Sequence, residues 1–547
     1  MSSIAVLLAA IRRRAVTLGL PLPHPASTSR PVESGYQLSR PAGGRAVSGR
    51  TGGQGGARLG LGAIVAAGLA LLAVYLAATV RLALPRYFPG PGVTVGFTQM
   101  LGPDRAWVTF LYIAMAVLTF ALYGVAVAAV WRRRGEIAPA VLWAFTALFT
   151  LVLALMYPPT AMDLIHYHAD ARTFWVYGDN PLVVPPSAHP YPVGMSWADR
   201  PSAYGPFWSI LTGLVVLPTG DHFLAGLIGL KLLAGAFGLG CAWLVYRIAA
   251  RLRPGWEGVA LVLFAWNPFV LHRVAAGGHN DIVMVFFVLL ALERAQRRAW
   301  VTAFTALALS VLVKYVSALL APPLLLYAWQ HAGGDGRARL RALAPAAGAA
   351  ALVTVLVYAP FWQGWQTFAT VREQLGSAQF LITSTPLLVQ YRLLPLMPPE
   401  EAAATARTIT TAIFLALYLP LIWQARRDPV RLVTASATAL FLYTVVAAGW
   451  FRPWYMLWAL PLMAVLPGTW FTPLVLVISF FTNLPDLVEQ YGMHWRWLVA
   501  DPWRQVSAPV LLAFWPALLV WYFGLLRFAS WHFDAPRLGR AGLEMHA

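Results

Sequence analysis

Apolar runs recur along this chain from residue 59 onward, and short polar loops separate them. They fall near 59–83, 106–131, 137–157, 222–248, 256–273, 280–295, 299–315, 317–331, 343–362, 403–425, 429–449, 454–467, 469–485 and 508–527. Many approach the roughly 17–25 residues that an α-helix needs to cross a bilayer. The pattern predicts an all-α fold, a polytopic membrane helix bundle of about 14 transmembrane helices over residues 58–530. Three loops on one side are long: 158–221, 363–402 and 486–507. The apolar stretch from Pro206 to Pro218 is too short to span, and predicts an interfacial helix with Trp and Tyr at headgroup depth. Residues 1–57 read as a disordered basic N-terminal segment, because 21–57 are rich in Pro, Gly, Ser and Arg. Residues 531–547 read as a tail.

Charge orients this pattern. Of 547 residues only 11% are charged, against roughly 25% in a soluble domain. The net charge of +19 could suit nucleic acid, but the arginines sit in alternate short loops, as the positive-inside rule requires. These loops hold Arg132 to Arg134, Arg247 to Arg253, Arg294 to Arg298, Arg337 to Arg341 and Arg426 to Arg431. The reading is therefore a multi-pass cell-membrane protein with both termini cytoplasmic, and no nucleic-acid partner. The opposite loops hold Asp163, Asp170, Asp179, Asp199, Asp221, Glu400, Glu401, Asp486 and Glu489. The single cysteine, Cys241, excludes an internal disulfide and a cysteine-rich metal site.

Candidate chemistry gathers on the acid-bearing side. Asp163 follows an apolar run directly, at a depth where a charge faces a cavity or water rather than lipid. In a helix, Asp163, His166, Tyr167 and Asp170 share one face. Asp163 reads either as a general base for a hydroxyl nucleophile or as a solvated loop acid. Asp170 and Asp179 read as solvated or helix-capping. His279-Asn280-Asp281 follows Asn267-Pro268 and Gly277-Gly278 and opens an apolar helix. It is either a helix cap or the polar wall of a cavity. Lys314, Arg392 and Arg452, the last followed by Tyr455, are cations that either snorkel to headgroups or hold a phosphate. The spacing of His166, His168, His272 and His279 matches no metal-ligand motif, so no cofactor is expected and a divalent metal is not favoured.

Taken in order, these residues resemble a known superfamily. Asp163 is followed by Tyr167-His168-Ala169-Asp170-Ala171-Arg172 and Gly178-Asp179-Asn180-Pro181. Then come Tyr204-Gly205-Pro206, Gly277-Gly278-His279-Asn280-Asp281, Leu312-Val313-Lys314-Tyr315, and the run from Arg452 to Pro461. The series resembles the GT-C integral-membrane glycosyltransferases, nearest to the bacterial enzymes that use polyprenol-phosphate-mannose. The resemblance implies an acidic base in the first long outer loop, at Asp163. It also implies a polyprenyl-phosphate sugar donor, a glycolipid, polysaccharide or protein acceptor, and transfer on the outer face with inversion. Two extra spans precede the Asp163 loop, and Asp163 is not part of an acid pair, which weakens a metal-dependent reading. A secondary transporter or lipid-linked-sugar flippase is the competing class. It calls for polar residues at the midplane and repeat symmetry, neither of which the sequence carries.

Overall fold

A computed structural model describes residues 53–87, 105–136, 138–158, 163–195, 197–376, 381–490 and 496–530. The predicted segments 1–52 and 531–547 lie outside the described residues, and the first helix already begins at Gly53. The fold is all-helical with three isolated β-bridges among the described residues, as the apolar pattern predicts. Among the described residues, eight helices are long and apolar enough to cross a membrane. A bent pair, Glu257–Ala265 with Pro268–Ala276, makes up to nine, and three shorter apolar helices accompany them.

The expected count of about 14 is not reached among the described residues, for identifiable reasons. The apolar run at 454–467 is broken into a 3-10 turn, Pro453–Trp458, and a five-residue helix, Leu460–Ala464, with a proline near the start of each. Proline lacks the amide hydrogen that a continuous helix needs. The run at 317–331 likewise divides into a 3-10 turn, Tyr315–Leu320, and the helix Ala321–His331, which carries Pro322 near its start.

Burial sorts the spans. Two thirds of the apolar windows of Pro429–Ala447 and Phe471–Val488 are buried within protein, 67% each. Gly336–Phe361 and Pro399–Ala425 bury only 17% and 22%, and turn Leu352, Val355, Leu356, Leu419 and Trp423 outward. The first pair is central, and the second faces lipid. The Glu257–Ala265 helix sits in the core, with Val259 to Phe264 all almost fully buried.

Three features of the chain aim the central helices at one site. Asn267 ends the first half of the bent span. Its side chain accepts from the Phe269 amide at 3.0 Å and Pro268 opens the next turn, the usual proline place at a helix start. The two halves meet at 49°, and a π-helical turn, His272–Ala276, follows. Gly278 then adopts φ +71°, and a Cβ there would lie 2.9 Å from Leu164 and 3.2 Å from the Lys231 stem. Only glycine supplies both the sign of φ and the room. Across the bundle, Gly205 donates its amide to the Val313 carbonyl at 3.0 Å, and a Cβ on it would meet the Leu312 oxygen at 2.1 Å. Tyr204 is thereby laid against the end of the Trp300–Val313 helix. Finally, Ile382 donates to the Gly449 carbonyl at 2.9 Å and accepts from the Phe451 amide at 3.0 Å. This short pairing fixes the turn that bears Arg452.

Candidate active site

Asp163 opens the helix Asp163–Trp175. The helix's anchorage is built from the preceding span. Lys231, fully buried, donates to the Leu153 carbonyl at 3.4 Å and to the Met156 carbonyl. Leu153 lies in the last turn of the Pro139–Ala154 helix and Met156 two residues beyond its end. A lysine that looks unaccountable in an apolar run thus fixes the exit from that helix, a few residues before Asp163. Leu164 packs against Gly278 beside the Lys231 stem, so the Asp163 helix and the His279 turn share one support.

His279, Asn280 and Asp281 form the next wall, each almost fully buried. The Lys314 ammonium donates to Asp281 Oδ1 at 2.6 Å and the Trp458 indole to the same oxygen at 2.5 Å. Lys314 Nζ also lies over the rings of Tyr455, Trp458 and Tyr204, at 4.9, 5.5 and 5.6 Å. Tyr455 and Trp458 stack at 4.3 Å. Tyr167 donates to Asn280 Oδ1 at 3.2 Å and packs edge-on against Tyr204 and Trp208. His279 bonds the Arg273 carbonyl through Nδ1 at 2.8 Å and lies 4.3 Å from the Trp454 ring. Arg452, half-buried, rests near the Trp450 ring at 5.6 Å.

The electrostatics tie these groups together. Burial pushes the Asp163 carboxyl above the ordinary carboxylate range. The cations Lys314 and Arg452 oppose that rise and the Asp281 charge adds to it, so all three act on one carboxyl group. Burial lowers the His279 pKa despite the two acids, so the ring is neutral. Asp163 keeps part of its surface open and has no ion-pair partner among the described residues. Asp281 is committed to Lys314 and Trp458. The two acids are therefore chemically distinct: one is a carboxylate of raised basicity with an open face, the other a fixed, charge-balanced acceptor.

The structure brings together Asp163, Tyr167, His279, Asn280, Asp281, Lys314, Arg452 and Tyr455. His166 is half-buried on the same helix, one residue before Tyr167. Arg392 departs from its expected place. It is exposed, and its guanidinium lies 3.9 Å from the Trp503 ring, because its helix Thr385–Leu393 packs against Pro502–Ser530. Lys314 is paired with a carboxylate rather than presented singly to a phosphate. Asp170, read as solvated or capping, is instead 5% exposed; burial lifts its pKa to about 7 against a hydrogen bond from Ser202. Asp179 is as expected, half-exposed and 3.0 Å from His189. Among the described residues no group of three or more His, Cys, Asp or Glu side chains is placed to hold a metal ion. Trp458, Trp454 and the Arg273 carbonyl join the site without a sequence signal of their own.

Several known proteins are similar to this chain. The family model described as alpha-(1->6)-mannopyranosyltransferase, N-terminal domain, matches residues 61–331, which carry every site residue from Asp163 to Lys314. Alpha-(1->6)-mannopyranosyltransferase B of Corynebacterium glutamicum is 24% identical over 62% of this chain and 61% of its own length. Alpha-(1->6)-mannopyranosyltransferase A of Mycobacterium tuberculosis is 25% identical over 61% of this chain and 66% of its own. The chain thus spans somewhat under two thirds of the curated relatives it matches. The solved structure of ArnT from Cupriavidus metallidurans bound to undecaprenyl phosphate aligns with a TM-score of 0.39, at 15% identity over 72% of this chain and 78% of that one.

Proposed function

We propose that this chain, whose residues 61–331 match the model of the alpha-(1->6)-mannopyranosyltransferase N-terminal domain, moves a hexose, mannose, from a polyprenyl-phosphate donor to an acceptor hydroxyl on the outer face of the membrane. The observation that carries this reading is the pair of unlike acids beside two cations: Asp163 raised and open, Asp281 fixed, with Lys314 and Arg452 acting on the same carboxyl. Asp163 takes the acceptor's hydroxyl proton as that oxygen attacks the anomeric carbon. The bond from the anomeric carbon to the donor phosphate breaks in the same displacement, which inverts the centre. Arg452 stabilises the charge that develops on the departing phosphate. Lys314, already balanced by Asp281, holds that acid and the Tyr204, Tyr455 and Trp458 rings in place. The acceptor is a hydroxyl of a glycolipid, polysaccharide or protein.

Asp163→Asn keeps the shape and removes the base. Transfer of labelled mannose from polyprenyl-phosphate-mannose by membranes bearing this variant is expected to fall by about 10²–10⁴-fold, with unchanged protein level and melting temperature. Wild-type transfer rates in that variant would exclude Asp163 as the base.

A further inference from the structure

We infer that His279, Asn280 and Asp281 are the hydroxyl-recognition face of the hexose subsite, built to take a pair of neighbouring sugar hydroxyls rather than an anion. The inference rests on the glycosyl-transfer reading above and concerns what the site reads. Each of the three consecutive residues has one polar atom bonded within the protein and one buried polar atom without a protein partner. The unpartnered atoms are His279 Nε2, Asn280 Nδ2 and Asp281 Oδ2, on residues at most 1% exposed. Other buried atoms of this kind are scattered over the fold, but here three adjoin in one turn beside Asp163.

The bonded atoms dictate what the others require. A carbonyl only accepts, so His279 donates from Nδ1 to Arg273 and Nε2 of the neutral ring bears a lone pair. Asn280 Oδ1 receives the Tyr167 hydroxyl, which leaves its Nδ2 as donor. Asp281 Oδ2 is an acceptor. The face therefore asks for two donors and one acceptor. Two adjacent hydroxyls answer that demand, since each can donate while also accepting. A phosphate or carboxylate answers it badly, with its lone pairs against those of Asp281 and His279. The anionic part of a lipid donor is thus turned away from this face and toward Arg452. Trp454 lies 4.3 Å from the His279 ring, at the edge of this face. The pair of hydroxyls belongs either to the donor hexose or to a sugar acceptor, and one experiment separates the two.

The experiment uses the full chain in lipid nanodiscs, with short-chain polyprenyl-phosphate-mannose, its monodeoxy analogues, and a matching series of deoxy mannoside acceptors. In wild type, removal of a recognised hydroxyl is expected to lower kcat/KM by on the order of 100-fold, because a buried polar group is left unpaired. Asn280→Ala is expected to be slow with the parent sugar and indifferent to the loss of that same hydroxyl. The melting temperature of Asn280→Ala itself checks that folding is retained. Coupling in the donor series assigns the face to the donor, and coupling in the other series to the acceptor. Equal losses in wild type and Asn280→Ala for every analogue in both series would overturn the inference, leaving water or packing as what the three atoms serve. Melting-temperature shifts with the parent and deoxy lipids give the same comparison without turnover. A wild type that transfers no hexose but shows the coupled shifts therefore defeats the transfer reading and not this one.

Discussion

At the scale of single residues, two acids on one helix show what position alone leaves open. Asp163 and Asp170 stand seven residues apart in the same outer-loop segment and look alike in the sequence. Asp163 was legible as a candidate because it follows an apolar run directly. Asp170 was not, because nothing local announces that its carboxyl is buried and meets Ser202 from beyond the next turn. With its pKa lifted from 3.8 to about 7, the folded chain holds a proton there that the unfolded chain releases. This contribution to stability is complete below about pH 4, declines as pH rises, and is lost above about pH 7. The cost above neutrality is on the order of 4 kcal/mol as an upper bound, from three units at about 1.4 kcal/mol each. Asp170→Asn keeps the size and removes the charge. Its melting temperature is expected to exceed wild type at pH 8 and to match it only below about pH 4; equal differences at pH 8 and below pH 4 would count against a buried titrating carboxyl.

At the scale of elements, long-range pairs hold the site's walls. Arg273, wholly buried in the π-helical turn, donates to Asp486 at 2.5 Å and to Asn483 at 3.3 Å, residues more than two hundred positions away. The sequence placed Asp486 in an outer loop and could not pair it, because hydropathy gives depth in a bilayer but not which helices adjoin. The same holds for Trp458, one of 24 tryptophans, and for Arg392, whose neighbour Trp503 is set by helix packing. Breaking a buried ion pair strands a charge and costs about 3–5 kcal/mol, whereas replacing both partners by apolar groups costs far less. Arg273→Met and Asp486→Leu alone are each expected to lower the melting temperature markedly. Arg273→Met combined with Asp486→Leu is expected to recover most of the loss, and a purely additive double variant would argue that the two residues act separately.

For the molecule as a whole, alternation of arginine-rich and acid-rich loops was enough to gather Asp163, Asp281, Lys314 and Arg452 from four distant segments. Parity of crossings is a global property that survives errors in individual boundaries. It failed in the count of spans, where closely spaced prolines turned apolar sequence into short, buried, broken helices. The turn His272–Ala276 has a consequence of this global kind. A π turn takes up one residue more than α-helical winding would. That surplus residue leaves the Arg273 carbonyl outside the ladder, where it accepts from the His279 amide and Nδ1. Deleting Ala275 removes the surplus and leaves an unbroken α-helical ladder, which alone is no loss to the bundle. It also returns to the ladder the Arg273 carbonyl, which the π turn leaves free to accept from His279. The chain is then expected to insert and melt near wild type, yet to transfer sugar no better than Asp163→Asn. The anchorage of His279 would have been spliced out with a single residue that touches no substrate.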